Sequence, residues 1–277
     1  MEKRAVDVAI LSDLHLGTYG CKAREVLNYL RSIAPQILIL NGDIIDGWQF
    51  SKHYFPQAHM AVLKEVLCMM ASGTRVIYIT GNHDEIMRRY CDIELGNFQL
   101  TDKLVIEINN RMTWIFHGDV FDHTTRGAAK FWAKLGSSGY GGLILVNRLI
   151  NHLLRLAGRE RISLSKSVMA GVNRMARIND FELTAAEIAI EKKYDYVICG
   201  HIHQPQKRLV QTDKGAVMYL NSGDWVEHLT SLEFYQNDWH IYTYDATQFE
   251  HVKSETHQPV LNVVTDEVNL YVSSLAI

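Results

Sequence analysis

Five short apolar runs, at residues 6–11, 37–40, 76–80, 112–116 and 196–199, each end in a cluster of Asp, His or Asn. The clusters are Asp13-Leu14-His15, Gly42-Asp43, Gly81-Asn82-His83-Asp84, His117-Gly118-Asp119 and Gly200-His201-Ile202-His203. Runs so rich in Val, Ile and Leu read as strands buried on both faces. In open α/β sheets the loops at the carboxyl ends of the strands converge on one crevice. One such cluster would be ordinary turn chemistry. Five in succession demand a fold that gathers them, and the donors they offer write a two-metal site across the chain.

The remaining pattern supplies the scaffold for that crevice. Residues 22–33 and 58–70 carry apolar side chains at helical spacing and read as crossover helices between the first three strands. From residue 194 onward the pattern changes to short strands at 194–199, 207–211, 216–221, 231–235 and 239–244, with Asn237-Asp238 turning the last pair. The expected fold class is α/β: two mixed sheets packed as a sandwich and flanked by helices. The core takes in residues 1–119 and 193–250; residues 120–192 form an insertion, with helices at 128–135, 143–157 and 165–177, and 251–277 form a C-terminal tail.

Charge sets the insertion apart. Residues 120–179 hold ten Lys and Arg (126, 130, 134, 148, 155, 159, 161, 166, 174 and 177) against Asp122 and Glu160, a net +8 in a chain whose total is −3. Arg148, His152, Arg155 and Arg159 fall at helical spacing opposite a wide apolar face that includes Leu149, Ile150, Leu153 and Leu154. That suits a helix lying at a membrane interface, and equally a core helix with a solvated face. Cations also attract nucleic acid, but Phe131, Trp132 and Tyr140 are few aromatics for stacking bases, so nucleic acid is not the expected partner. Cys21, Cys68, Cys91 and Cys199 have no C-x-x-C pairing and read as reduced thiols. With no signal-like or anchor-like stretch read near residues 5–11, the expected location is the cytoplasm, with peripheral contact on the inner face of the membrane.

The order Asp-x-His, Gly-Asp-x-x-Asp, Gly-Asn-His-Asp, His-Gly-Asp, Gly-His-x-His resembles the calcineurin-like metallophosphoesterase superfamily, over residues 6 to 225. The resemblance implies that Asp13, His15, Asp43 and His203 hold one metal and Asp43, Asn82, His117 and His201 the other. A bridging carboxylate sets two cations roughly 3.5–4 Å apart, where they activate a shared water for in-line phosphoryl displacement. Nitrogen and oxygen ligation suits Mn first, with Fe, Zn or Co as alternatives, over Ca. The same resemblance points His83 at the phosphate as general acid or charge stabiliser, with Asp84 orienting it. Asp46 and Asp119 are read as supporting or turn-stabilising carboxylates.

A helical insertion between His-Gly-Asp and Gly-His-x-His is similar to the UDP-2,3-diacylglucosamine pyrophosphatases of lipid A biosynthesis, in which it forms a lid over acyl chains. Ser163 to Ser167 and Val172-Asn173 resemble that family's substrate-contacting lid segment, and Trp225 matches its Gly-x-Trp. By this resemblance Asn82, His83, Asp122, Ser165 and Lys166 contact a nucleotide-linked lipid, an anionic phosphoester. The implied reaction is attack of metal-activated water on the α-phosphorus, giving UMP and 2,3-diacylglucosamine 1-phosphate. That family usually carries Gly-Asn-Arg-Asp; His83 is a departure, and belongs with relatives that carry Gly-Asn-His-Asp. The alternatives are a phosphodiesterase for nucleotides or another lipid-linked diphosphate, and a non-enzymatic scaffold on the same fold.

Overall fold

The computed structural model describes residues 3–47, 54–121 and 181–252. They divide into a unit through Tyr244 and a second that starts at Asp245, of which a 3₁₀ turn, Ala246–Val252, is described. The expected helices at 128–135, 143–157 and 165–177, and most of the expected tail, lie outside the described residues.

The first sheet grows around parallel strands β1 (Arg4–Leu11), β2 (Ile33–Asn41) and β3 (Arg75–Ile79), joined by α1 (Ala23–Ser32) and α2 (Gln57–Ala71). On the β3 side follow the short strands β4 (Ile93–Leu95) and β5 (Phe98–Thr101). Next in the chain come β6 (Lys103–Ile108) and β7 (Arg111–Phe116), a helix at 181–191 (α3), and β8 (Tyr196–Cys199). The chain then runs through β9 (Gln206–Thr212), β10 (Gly215–Asn221), β11 (Thr230–Tyr235) and β12 (Asp238–Thr243). The sheets read β12-β11-β1-β2-β3-β5-β4 and β6-β7-β8-β10-β9, each mixing parallel and antiparallel pairs.

Alternation along the central strands explains the layering. Val8, Ile10, Ile39, Ile77 and Ile79 pack against Ile115, Ile198 and Leu220 of the second sheet. Their neighbours Ala9, Leu11, Leu38, Leu40 and Val76 face α1 and α2 through Val26, Leu30, Val62 and Val66. With side chains pointing to opposite faces at period two, a strand apolar at every position is buried on both sides. The outer face of the second sheet is covered in the same way. Val197, Cys199, Val217 and Tyr219 pack on Phe181, Ala185, Ala186 and Ala189 of α3.

Three details differ from the sequence-based expectation. Residues 181–191, read as part of the insertion without an element of their own, are a helix packed on the second sheet. Strands β4, β5 and β6 were not anticipated, because β4 and β6 alternate or expose their side chains at sheet edges and leave no continuous apolar run. The β11–β12 turn is centred on Gln236 and Asn237, at φ of 52° and 65°, one residue earlier than Asn237-Asp238. Positive φ at both central residues is the hairpin turn whose twist matches its flanking strands.

Candidate metal centre

Loops after β1, β2, β3, β7 and β8 bring the five clusters to one end of the two sheets. The β1–β2 pairing continues beyond the strands: Asp13 N–H donates to Gly42 O at 3.0 Å, His15 N–H to Asp43 O at 2.9 Å and Leu16 N–H to Ile44 O at 2.8 Å. Asp13, His15, Asp43, His201 and His203 all lie at positive φ, between 50° and 65°. Non-glycine residues pay for this conformation, which concentrates at functional sites. Close approach also dictates two glycines. A Cβ on Gly81 would stand 2.3 Å from Asp43 Oδ1, and one on Gly42, at φ +79°, 2.3 Å from the His117 ring.

Three groups of ligand atoms result, each within 4.8 Å: Asp13, His15 and His203; His15, Asp43 and His83; Asp43, His117 and His201. Asp43 therefore belongs to two groups, where the sequence reading places the bridge. Across the seam between the sheets, His203 Nε2 lies 3.0 Å from Asp13 Oδ1, and His117 Nε2 lies 3.2 Å from Asp43 Oδ2. His117 Nδ1–H donates to Asn41 O at 2.9 Å, which leaves the Nε2 lone pair of the neutral ring facing the cluster. Asn82 is followed by His83, whose backbone N–H donates to Asp43 Oδ1 at 2.8 Å.

Burial and pairing act against each other on these charges. Burial raises the Asp43 carboxyl, but His117 and His83 together outweigh burial and hold Asp43 well below the usual carboxylate range. Burial lowers the His117 imidazole, and Asp43 and Asp13 overcome it, pushing His117 up to about 10. Asp13 is likewise lowered, against burial, by His117 and His203, and His203 is raised, against burial, by Asp13. The donor set fits divalent cations on a separate observation. Asn82 Oδ1 is buried and makes no hydrogen bond. Buried polar atoms without partners are costly unless something coordinates them.

The supporting carboxylates are distributed differently from the sequence reading. Asp84, expected to orient His83, instead accepts from Gly81 N at 2.5 Å, Ile44 N at 3.0 Å and Tyr78 Oη at 2.6 Å. Burial raises its carboxyl. The carboxylate beside His83 is Asp46, whose Oδ2 lies 2.8 Å from His83 Nδ1 and 3.1 Å from His15 Nδ1. Asp119 accepts from Arg88 Nη2 at 2.7 Å, while Arg88 Nε reaches Asp102 at 2.7 Å, tying the turn after His83 to its neighbours.

Sequence reasoning missed Asp224. Wholly buried, it accepts from the backbone N–H of Val226 and Glu227 and from His228, and its Oδ2 lies 3.9 Å from His203 Nδ1. Its place beside Trp225 in sequence was the available signal, and the Trp225 backbone N–H donates to Asp13 O at 3.2 Å. Asp122, Ser165 and Lys166 lie outside the described residues.

The family model for calcineurin-like phosphoesterases matches residues 6–205. Among curated proteins, the UDP-2,3-diacylglucosamine hydrolase of Stenotrophomonas maltophilia is 26% identical over 240 residues, covering 84% of this chain and 96% of that protein. An Escherichia coli UDP-2,3-diacylglucosamine hydrolase is 25% identical over 223 residues, covering 78% and 89%. A solved archaeal phosphodiesterase is similar at 14% identity and a TM-score of 0.40, covering 85% of this chain and 98% of that one.

Proposed function

The chain belongs to the calcineurin-like phosphoesterase family, and we propose that within it the protein cleaves the diphosphate of a nucleotide-linked, acylated sugar. Membership makes it a metal-dependent phosphoesterase. The substrate we assign is UDP-2,3-diacylglucosamine, hydrolysed to UMP and 2,3-diacylglucosamine 1-phosphate. One observation carries this reading: relatives so named align over nearly their whole length, 96% and 89%, rather than over the metal motifs alone.

In this reading Asp13, His15, Asp43 and His203 hold one cation, Mn in our assignment, and Asp43, Asn82, His117 and His201 the second. Two bound divalent cations supply water activation at neutral pH and neutralise the phosphoryl oxygens. The chain's own contribution is placement. Asp46 fixes His83 through Nδ1 and leaves Nε2, 4.0 Å from Asp43 Oδ2, to meet the phosphoryl group. A ring held this way donates a proton from Nε2 to the leaving oxygen. Asp84 keeps Gly81 and Ile44 in place, and so the backbone on which Asn82 and Asp43 stand.

The basic, apolar segment 120–179 supports the lipid half of the assignment, with Asp122, Ser165 and Lys166 as its proposed substrate contacts. No helix among the described residues is long and apolar enough to cross a membrane. We assign the segment a peripheral contact with anionic lipid, expected as vesicle association that weakens with salt. His83 favours a second reading, a phosphodiesterase acting on nucleotides or another lipid-linked diphosphate, since it replaces a bidentate Arg by an imidazole. The test is a Mn²⁺-supplemented assay on UDP-2,3-diacylglucosamine beside UDP-sugars, cyclic nucleotides and single-stranded DNA. UMP formed from the lipid substrate is the expected result; turnover confined to the other compounds overturns it.

A further inference from the structure

We propose that Tyr19 and Tyr54 form a stacking platform for the nucleobase of the substrate at the rim of the metal centre, an inference that rests on the nucleotide-linked reading above. The two rings lie with centroids 3.9 Å apart and planes 34° from parallel. Tyr19 stands on the loop between β1 and α1, and Tyr54 on the connection between β2 and α2. Both are carboxyl-end connections, the same ones that carry Asp13, His15, Asp43 and Asp46. Tyr19 is four positions after His15, which keeps their Cα atoms within about 15 Å. The ribose and diphosphate of a nucleotide can bridge a gap of that order.

Tyr19 is 82% exposed, more than any other large apolar side chain among the described residues. It is nevertheless not carried on a slack loop. Thr18 N–H and Thr18 Oγ1–H both donate to His15 O, at 3.2 and 2.9 Å. Gly17 N–H donates to the buried His59 Nδ1 at 2.9 Å, and the His59 ring meets Tyr54 edge-on at 5.9 Å. One turn thus fixes the ligand-type residue His15 and the exposed ring together, with Tyr54 backing one face of Tyr19. Such an arrangement presents a flat aromatic surface without a loss of loop entropy on binding. Every base has a π-face, so stacking is what an exposed ring offers a nucleotide.

The experiment is calorimetric titration of the Mn²⁺-loaded full chain with UMP and with ribose 5-phosphate, which shares the sugar and phosphate and lacks the base. Wild type is expected to bind UMP more tightly, by roughly 5- to 100-fold, the range of a single base stack. Tyr19→Ala should collapse that difference, and Tyr19→Trp should keep it. Equal affinity of wild type for the two ligands overturns the proposal, as does a Tyr19→Ala protein that weakens both ligands alike, which would mark a structural role. Formation of UMP from the lipid substrate is scored separately. A Tyr19-dependent preference for UMP without turnover of that substrate keeps the platform and removes the substrate assignment, while turnover without the preference does the reverse.

Discussion

The two sheets equip the metal centre unequally. Loops of the first place the carboxylates Asp13 and Asp43 at the cluster, with His15 and His83, whereas loops of the second place the imidazoles His117, His201 and His203 there. Two acid-to-imidazole contacts cross the seam, His203 to Asp13 at 3.0 Å and His117 to Asp43 at 3.2 Å. His201 N–H adds a bond to Asp13 Oδ2 at 3.1 Å. The acid–imidazole cluster is also an inter-sheet junction. Disturbing the acids of the first sheet leaves His117 without its counter-charges, while His203 keeps Asp224 at 3.9 Å.

The largest break in that arrangement is expected from Asp43→Ala, which removes the carboxylate shared by two ligand groups. Activity on a chromogenic phosphodiester should be abolished and metal content should fall by elemental analysis; full activity would refute the bridging role. His83→Ala touches only the first sheet's reactive group. Turnover should drop roughly 10²–10⁴-fold while both metals stay bound.

A smaller change sharpens the contrast between two carboxylates of the first sheet. Asp46→Asn weakens the anchor of both His15 and His83 and is expected to cost roughly 10–100-fold in activity or metal affinity. Asp84→Asn should act mainly on the melting temperature, because Asp84 holds backbone amides and Tyr78 rather than His83. If Asp84→Asn alters the pH–rate profile as Asp46→Asn does, the separation of roles fails.

The mildest test reads the junction itself in chelator-treated protein. Asp43, held below its ordinary 3.8, contributes stability that is complete above that value and lost as pH falls through its depressed one. His117, raised from 6.5 to about 10, contributes stability that is complete below 6.5 and lost as pH rises through about 10. The metal-free melting temperature should accordingly be highest between about pH 4 and 6.5. Cations need the neutral ring, so stabilisation by Mn²⁺ should grow from pH 6 to 8. A metal-free protein most stable at pH 9 would show that the His117–Asp43 pair does not govern the seam.

Much of this was legible in the chain because central strands announce themselves. Buried on both faces, β1, β2, β3 and β8 are nearly continuous in Val, Ile and Leu, and each ends in ligand residues whose side chains have few other uses at that spacing. The edge strands β4 and β6 carry no such pattern, since all three residues of β4 are exposed and β6 alternates exposed Lys103, Val105 and Glu107 with more buried neighbours. Tyr19 and Tyr54 were invisible for another reason: they are 35 positions apart, and only the pairing of β1 with β2 makes their loops neighbours.

Adjacency misled the reading at Asp84 for a related cause. The chain turns into a 3₁₀ helix at Glu85, so the Asp84 side chain folds back beneath its own loop toward Gly81, Ile44 and Tyr78. Asp46, 37 residues before His83, reaches it because the loops after β1 and β2 continue the strand pairing and deliver Asp46 to the crevice. The sequence by itself determined which donors exist, in which order, and at the end of which strands, because ligand chemistry and strand burial are written in residue type and period. Tertiary structure alone decided which carboxylate meets which imidazole. That choice depends on loop backbones at positive φ and on two sheets brought face to face, neither of which a linear spacing encodes.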